Sequence, residues 1–93
     1  MYHVYAIKSI SRNYIYVGIT DNPERRIDYH NHGYNKTTRA YAPFCIILIE
    51  DYDTRPAARK REIELKSGNG KAFLKKLIPI AIGIEHETHS CNP

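Results

Sequence analysis

Five polar side chains of this chain could together act on a phosphate group: Tyr5, Tyr16, Arg26, His30 and Glu62. Tyr5 and Tyr16 each sit within a run of strand formers, His3-Val4-Tyr5-Ala6-Ile7 and Tyr14-Ile15-Tyr16-Val17-Gly18-Ile19. A phenol can orient water or move a proton, but its ordinary pKa of about 10 means it needs help to act as a base at neutral pH. Gly18 follows Tyr16 by two positions, so the two share a strand face. A glycine inside a strand weakens it and often marks the close approach of a ligand or another backbone. Arg26 and His30 are four residues apart, which puts them on one face of a helix. Such a pair can hold a phosphate and shuttle a proton. Glu62 falls on the stripe Ala58, Glu62, Leu65. A carboxylate among apolar neighbours needs a cation beside it, either a basic side chain or a metal ion. Each feature also has a plainer reading: two core tyrosines and a bulge, a solvated helix face, and a glutamate ion-paired to Arg59 or Lys66.

These residues need elements to position them. Residues 2–7 and 14–19 are rich in strand formers, and the polar link between them is too short for a parallel crossover. An antiparallel hairpin carrying both tyrosines follows. Asn22-Pro23-Glu24 is a helix start, with Asn22 as N-cap, Pro23 in the first turn and Glu24 at the positive end. That helix should run to about residue 31 and carry Arg26 and His30. A polar loop with Gly33, Lys36, Thr37, Thr38 and Arg39 ends at Pro43. The apolar run at residues 44–49 reads as a strand buried on both faces, and from that as the centre of the sheet. Asp53-Thr54-Arg55-Pro56 opens a second helix, which carries Glu62 and ends at Ser67-Gly68-Asn69-Gly70. A third helix is expected over residues 71–78, and residues 80–84 read as a short strand or packed coil. The order β-β-α-β-α-α makes an α+β fold, a three-stranded antiparallel or mixed sheet flanked by helices.

Composition sets the frame. At 93 residues the chain is long enough for one domain, expected over residues 1–80, with a C-terminal tail at 81–93. The 42% hydrophobic content is that of a folded chain, which argues against disorder. Fourteen Lys and Arg against ten Asp and Glu give +4, a surface compatible with a polyanion. Cys45 and Cys91 lie too far apart in character to suggest a disulfide framework: one is in an apolar run, the other in the tail. No stretch reaches membrane-spanning length and no leader pattern precedes the first strand, so a reducing cytoplasm is the expected location. His86, His89 and Cys91 lack both the spacing and the fourth ligand of a zinc site.

Taken in order, the motifs resemble the GIY-YIG nuclease superfamily, in particular its small stand-alone members. Val4-Tyr5-Ala6-Ile7 matches the first signature element and Tyr16-Val17-Gly18 the second. Pro23-Glu24-Arg25-Arg26-Ile27 with His30-Asn31 is similar to the family's first helix, and Arg61-Glu62-Ile63-Glu64-Leu65-Lys66 to its glutamate helix. Four motifs in the right order are specific where each alone is loose. The chain departs in having His3-Val4 for Gly-Ile and Val17 for Ile, and no second domain for target recognition is expected.

The resemblance implies a metal-dependent endonuclease acting on nucleic acid, with DNA the expected polymer and repair, recombination or processing the expected setting. It implies that Glu62 holds Mg²⁺ or Mn²⁺, that Arg26 stabilises the phosphate as charge builds, and that Tyr5 serves as general base. Tyr16 would orient the phosphate or the water, and His30 would assist proton transfer or hold Tyr5. Gly18 would let the backbone of the substrate come close, with Arg25 and Lys36 as further substrate contacts. The alternatives are a non-catalytic nucleic-acid-binding module of the same fold and a protein-interaction domain. An interaction domain of that kind would have no affinity for DNA at any salt concentration.

Overall fold

The computed structural model describes residues 1–78 of the 93-residue chain. The expectations placed on residues 80–93, including the tail and its histidines, lie outside the described residues. The elements follow the order β-β-α-β-α-α: β1 Tyr2–Ser9, β2 Ile15–Thr20, α1 Pro23–Asn31, β3 Phe44–Tyr52, α2 Arg55–Lys66 and α3 Gly68–Ile78. A short 3-10 turn, Arg39–Tyr41, interrupts the loop before β3. Among the described residues no helix is long and apolar enough to cross a membrane.

The sheet is antiparallel throughout, in the order β2-β1-β3. The centre is therefore β1, not the strand at Phe44–Tyr52, which corrects the expectation drawn from its apolar run. Val4, Tyr5, Ala6 and Ile7 of β1 are all at most 1% exposed, while Ile49 of β3 is 42% exposed. A run that is apolar on both faces reports helices above and below the strand, and those cover an edge strand as well as a central one.

Alternation along β1 sends its side chains to two separate cores. Val4 and Ala6 pack with Val17 and with Ala58, Leu65 and Leu74 of α2 and α3. Tyr5 and Ile7 pack on the other face with Ile27 of α1 and Phe44. The architecture is a three-layer sandwich, with α1 on one face of the sheet and α2 and α3 on the other. Both helix starts are capped as their residues suggest. Asn22 Oδ1 accepts from the Arg25 amide at 3.1 Å, and Thr54 Oγ1 from the Ala57 amide at 3.3 Å.

The glycines after α2 do not stop helicity. Ser67 alone breaks it, and its Oγ accepts from the Gly70 amide at 3.2 Å as a cap for α3. Gly70 then lies inside α3, where an added Cβ would collide with the Glu64 carbonyl and the Leu65 Cα. The glycine is there so that α3 can fold back against the end of α2, a tertiary demand that outweighs its weak helix propensity.

Candidate active site

The site is organised around Tyr5. It stands on the central strand, pointing to the α1 face, directly opposite Gly18 on β2. A Cβ on Gly18 would sit 2.6 Å from the Tyr5 hydroxyl oxygen and 2.8 Å from Cζ. The missing side chain is thus the space that the Tyr5 ring occupies on its way to the free edge of β2. Gly18 was expected to admit a substrate backbone; in the structure the close approach it permits is that of Tyr5.

Behind the ring lies His30, fully buried on α1. The Tyr5 hydroxyl is 2.9 Å from His30 Nε2, and His30 Nδ1 is 2.8 Å from the hydroxyl of Thr38, which is also fully buried. The loop that supplies Thr38 is pinned by Asn35 Oδ1, which accepts from the Thr37 and Thr38 amides. Burial, reinforced by the charge of Arg26, holds the His30 pKa down at about 4, so the ring is neutral at pH 7. Burial pushes the Tyr5 phenol up to about 12, against the pull of the nearby Arg26 guanidinium. With the His30 ring neutral, the phenol proton is best placed on the bond to Nε2, and Nδ1–H donates to Thr38. Tyr16 closes the cluster, its ring centroid 6.2 Å from that of Tyr5 and 4.8 Å from that of His30.

In front of Tyr5 opens a cleft of about 530 Å³ at the edge of β2, between α1 and α2. Tyr5, Tyr16, Gly18, Arg26 and Glu62 all line it. His30 does not. Arg26 and His30 share the inward side of α1, but His30 is sealed behind Tyr5, so it reaches a substrate only through the phenol. Arg25 lines a second groove instead, and Lys36 is exposed on the loop and lines neither.

Glu62 is 6% exposed and faces this cleft between two cations, Arg59 Nη1 at 2.6 Å from Oε1 and Lys66 Nζ at 2.7 Å from Oε2. Burial works to raise its pKa, but hydrogen bonds from Lys66 and Arg59 prevail and lower it, so it is ionised at neutral pH. The ion-pair reading of this carboxylate is realised here. It fits a metal role as well. Both cations are mostly exposed, long side chains that can swing away, and a single ionised carboxylate plus water suits Mg²⁺. Among the described residues no group of three or more His, Cys, Asp or Glu side chains gathers around an ion site, so Glu62 would be the main protein ligand.

Sequence reasoning missed Thr38 and Arg55, and gave Arg59 only as an ion-pair partner of Glu62. Nothing local marks Thr38, whose role comes from loop folding. Arg55 and Arg59 carry a legible signal, since they lie four apart and Arg59 is three before Glu62, so all three line the cleft from one helix face.

The family model of the GIY-YIG catalytic domain matches residues 1–76. The chain belongs to the GIY-YIG family. A UPF0213 protein of Haloquadratum walsbyi is 42% identical over 67 residues, spanning 71% of this chain and 75% of the relative. A UPF0213 protein of Staphylococcus haemolyticus is 32% identical over 77 residues, spanning 82% and 93% respectively. The solution NMR structure of a UPF0213 protein from Bacillus halodurans is 27% identical, with a TM-score of 0.55 over 96% of this chain and 100% of that one. These are small single-domain proteins, and GIY-YIG membership makes the function nuclease-type, acting on nucleic acid.

Proposed function

We propose that this GIY-YIG domain is a divalent-metal-dependent endonuclease that hydrolyses phosphodiester bonds of DNA, working in repair, recombination or processing in the cytoplasm. The observation that carries the reading is the Tyr5 hydroxyl, held by buried His30 at 2.9 Å and opening onto a cleft shared by Arg26 and Glu62. A Tyr5 phenol pushed up to about 12 needs a cation beside it to act as base, which Arg26 and an ion held by Glu62 would supply. Tyr5 then takes the proton of the attacking water, and His30 Nε2, 2.9 Å from the phenol oxygen, holds the phenol in position. Arg26, at the cleft wall, bears on the non-bridging oxygens as charge accumulates there. Tyr16 lines the same cleft and orients the water or the phosphate. Glu62 would hold Mg²⁺ or Mn²⁺, and the ion when bound neutralises charge on the phosphate and leaving oxygen.

The experiment is incubation of the purified protein with plasmid, single-stranded and branched DNA, with Mg²⁺, Mn²⁺ or EDTA. Cleavage in the presence of either ion, abolished by EDTA and by Tyr5→Phe, is expected. A protein that binds these DNAs yet cuts none of them with any ion would be a binding module instead.

A further inference from the structure

Arg26 lines a second cavity besides the cleft, a groove of about 440 Å³ with one aromatic wall. The end of α1 builds that wall. Gly33 adopts φ 77°, the left-handed conformation that favours glycine, and the chain turns back so that the Tyr34 amide donates to the Tyr29 carbonyl at 3.2 Å. This reversal lays the Tyr34 ring within 12° of parallel to His32, centroids 5.7 Å apart, and 5.8 Å from Tyr29. His32 is fixed in turn, its Nδ1–H donating to the Asp28 carbonyl at 2.8 Å. The Arg26 guanidinium lies 4.4 Å from the centre of the Tyr29 ring.

Tyr34 is nevertheless 68% exposed. A ring held by backbone and neighbouring rings, but open to solvent, offers a stacking face whose ordering is already complete, and preorganised faces bind more tightly. The groove's charges balance, Arg25 and Arg26 against Asp21 and Asp28. That balance disfavours a phosphate inside it and suits a neutral planar group. The groove meets the cleft at Arg26, so a strand with a phosphate against Arg26 brings the adjoining base to the aromatic wall. In a duplex that base is already stacked on both sides and has no free face to offer.

We propose that Tyr29, His32 and Tyr34 form a stacking subsite for an unpaired nucleobase beside the phosphate at Arg26, so that the preferred substrate is single-stranded or splayed at that nucleotide. The position of the base relative to the chemistry rests on the nuclease reading; the stacking does not.

The test titrates wild type, Tyr34→Ala and Tyr34→Phe in EDTA against a labelled mixed-sequence single-stranded oligonucleotide and its duplex, then assays cleavage of both with Mn²⁺. Tyr34→Ala should weaken single-strand binding about tenfold and leave duplex binding within about twofold, while Tyr34→Phe, which keeps the ring, stays within about twofold on both. Circular dichroism checks that the variants fold. No loss on the single strand, an equal loss on the duplex, or a wild type that does not bind single strands overturns the subsite. A wild type that cuts neither DNA, while Tyr34→Ala still loses single-strand affinity, refutes the nuclease reading and leaves the subsite standing.

Discussion

Replacing Gly18 with alanine tests the central geometric claim, because the ordinary expectation and the structural one have opposite signs. Alanine in place of glycine inside a strand normally stabilises by about 0.5–1 kcal/mol. Here the new Cβ would lie 2.6 Å from the Tyr5 hydroxyl oxygen, 2.8 Å from Cζ and 3.0 Å from Cε1. The ring cannot simply move aside, because Tyr16 and His30 pack around it and the hydroxyl is bonded to His30. Overpacking of this kind costs about 1–3 kcal/mol, and a displaced hydroxyl strands the buried His30 nitrogen at a cost of about 1–3 kcal/mol more. Allowing for the intrinsic gain, Gly18→Ala should destabilise by roughly 1–5 kcal/mol, a large share of the stability of so small a domain. Urea unfolding measures this directly. The decisive arm is the same substitution in a Tyr5→Leu background, where no atom reaches the position of Cζ. There Gly18→Ala should recover the ordinary gain of about 0.5–1 kcal/mol, giving a coupling energy of about 2 kcal/mol or more between the two positions. Additive effects, or a Gly18→Ala protein as stable as wild type, would refute the idea that Gly18 exists to seat Tyr5. In the cleavage assay Gly18→Ala should lose about a hundredfold, the usual effect of moving a reacting group by about 1 Å.

Other outcomes follow from the same site. Glu62→Gln should lower cleavage by orders of magnitude while DNA binding survives, whereas Glu64→Gln, which removes only an exposed pairing with Arg61, should cut nearly as wild type does; kinetics of the two variants across a metal titration decide this. Arg26→Ala should reduce turnover far more than affinity, and Arg25→Ala should mainly weaken binding and flatten its salt dependence; equal effects in single-turnover and binding assays would count against the assignment. His30 has a folded pKa of about 4 against 6.5 when unfolded, so below the unfolded value the unfolded chain binds the extra proton. The stability it confers is complete above about pH 6.5 and is lost as pH falls towards 4, by about 3 kcal/mol, so urea midpoints should decline across that window and decline less in His30→Gln. Tyr5→Phe should keep the fold at a cost of about 1–3 kcal/mol, because the buried His30 nitrogen loses its partner, and should abolish activity in the plasmid assay.

The order of elements, both helix caps and the pairing of the two tyrosine-bearing strands could be read from the sequence. Each is set within a few residues: Asn22 and Thr54 accept from amides three positions on, and the short link between β1 and β2 permits only an antiparallel return. The cleft residues Tyr5, Tyr16, Arg26 and Glu62 stand out by type and spacing, but it is the resemblance of four ordered motifs to the GIY-YIG family that singles them out from their plainer readings. Tertiary structure decided what type and spacing do not carry. The place of β1 at the centre of the sheet depends on which strands pair at its two edges, and the apolar run of β3 says nothing of that. His30 lies behind Tyr5 rather than beside Arg26 in the cleft because the loop bearing Thr38 closes over it, a contact made across eight residues of chain. Gly18 and Gly70 read locally as a substrate gap and a helix stop. In the fold each makes room for a group far away in sequence or on the next helix, the Tyr5 ring and the backbone at Leu65, and a glycine's local sequence cannot say what will fill the space it leaves.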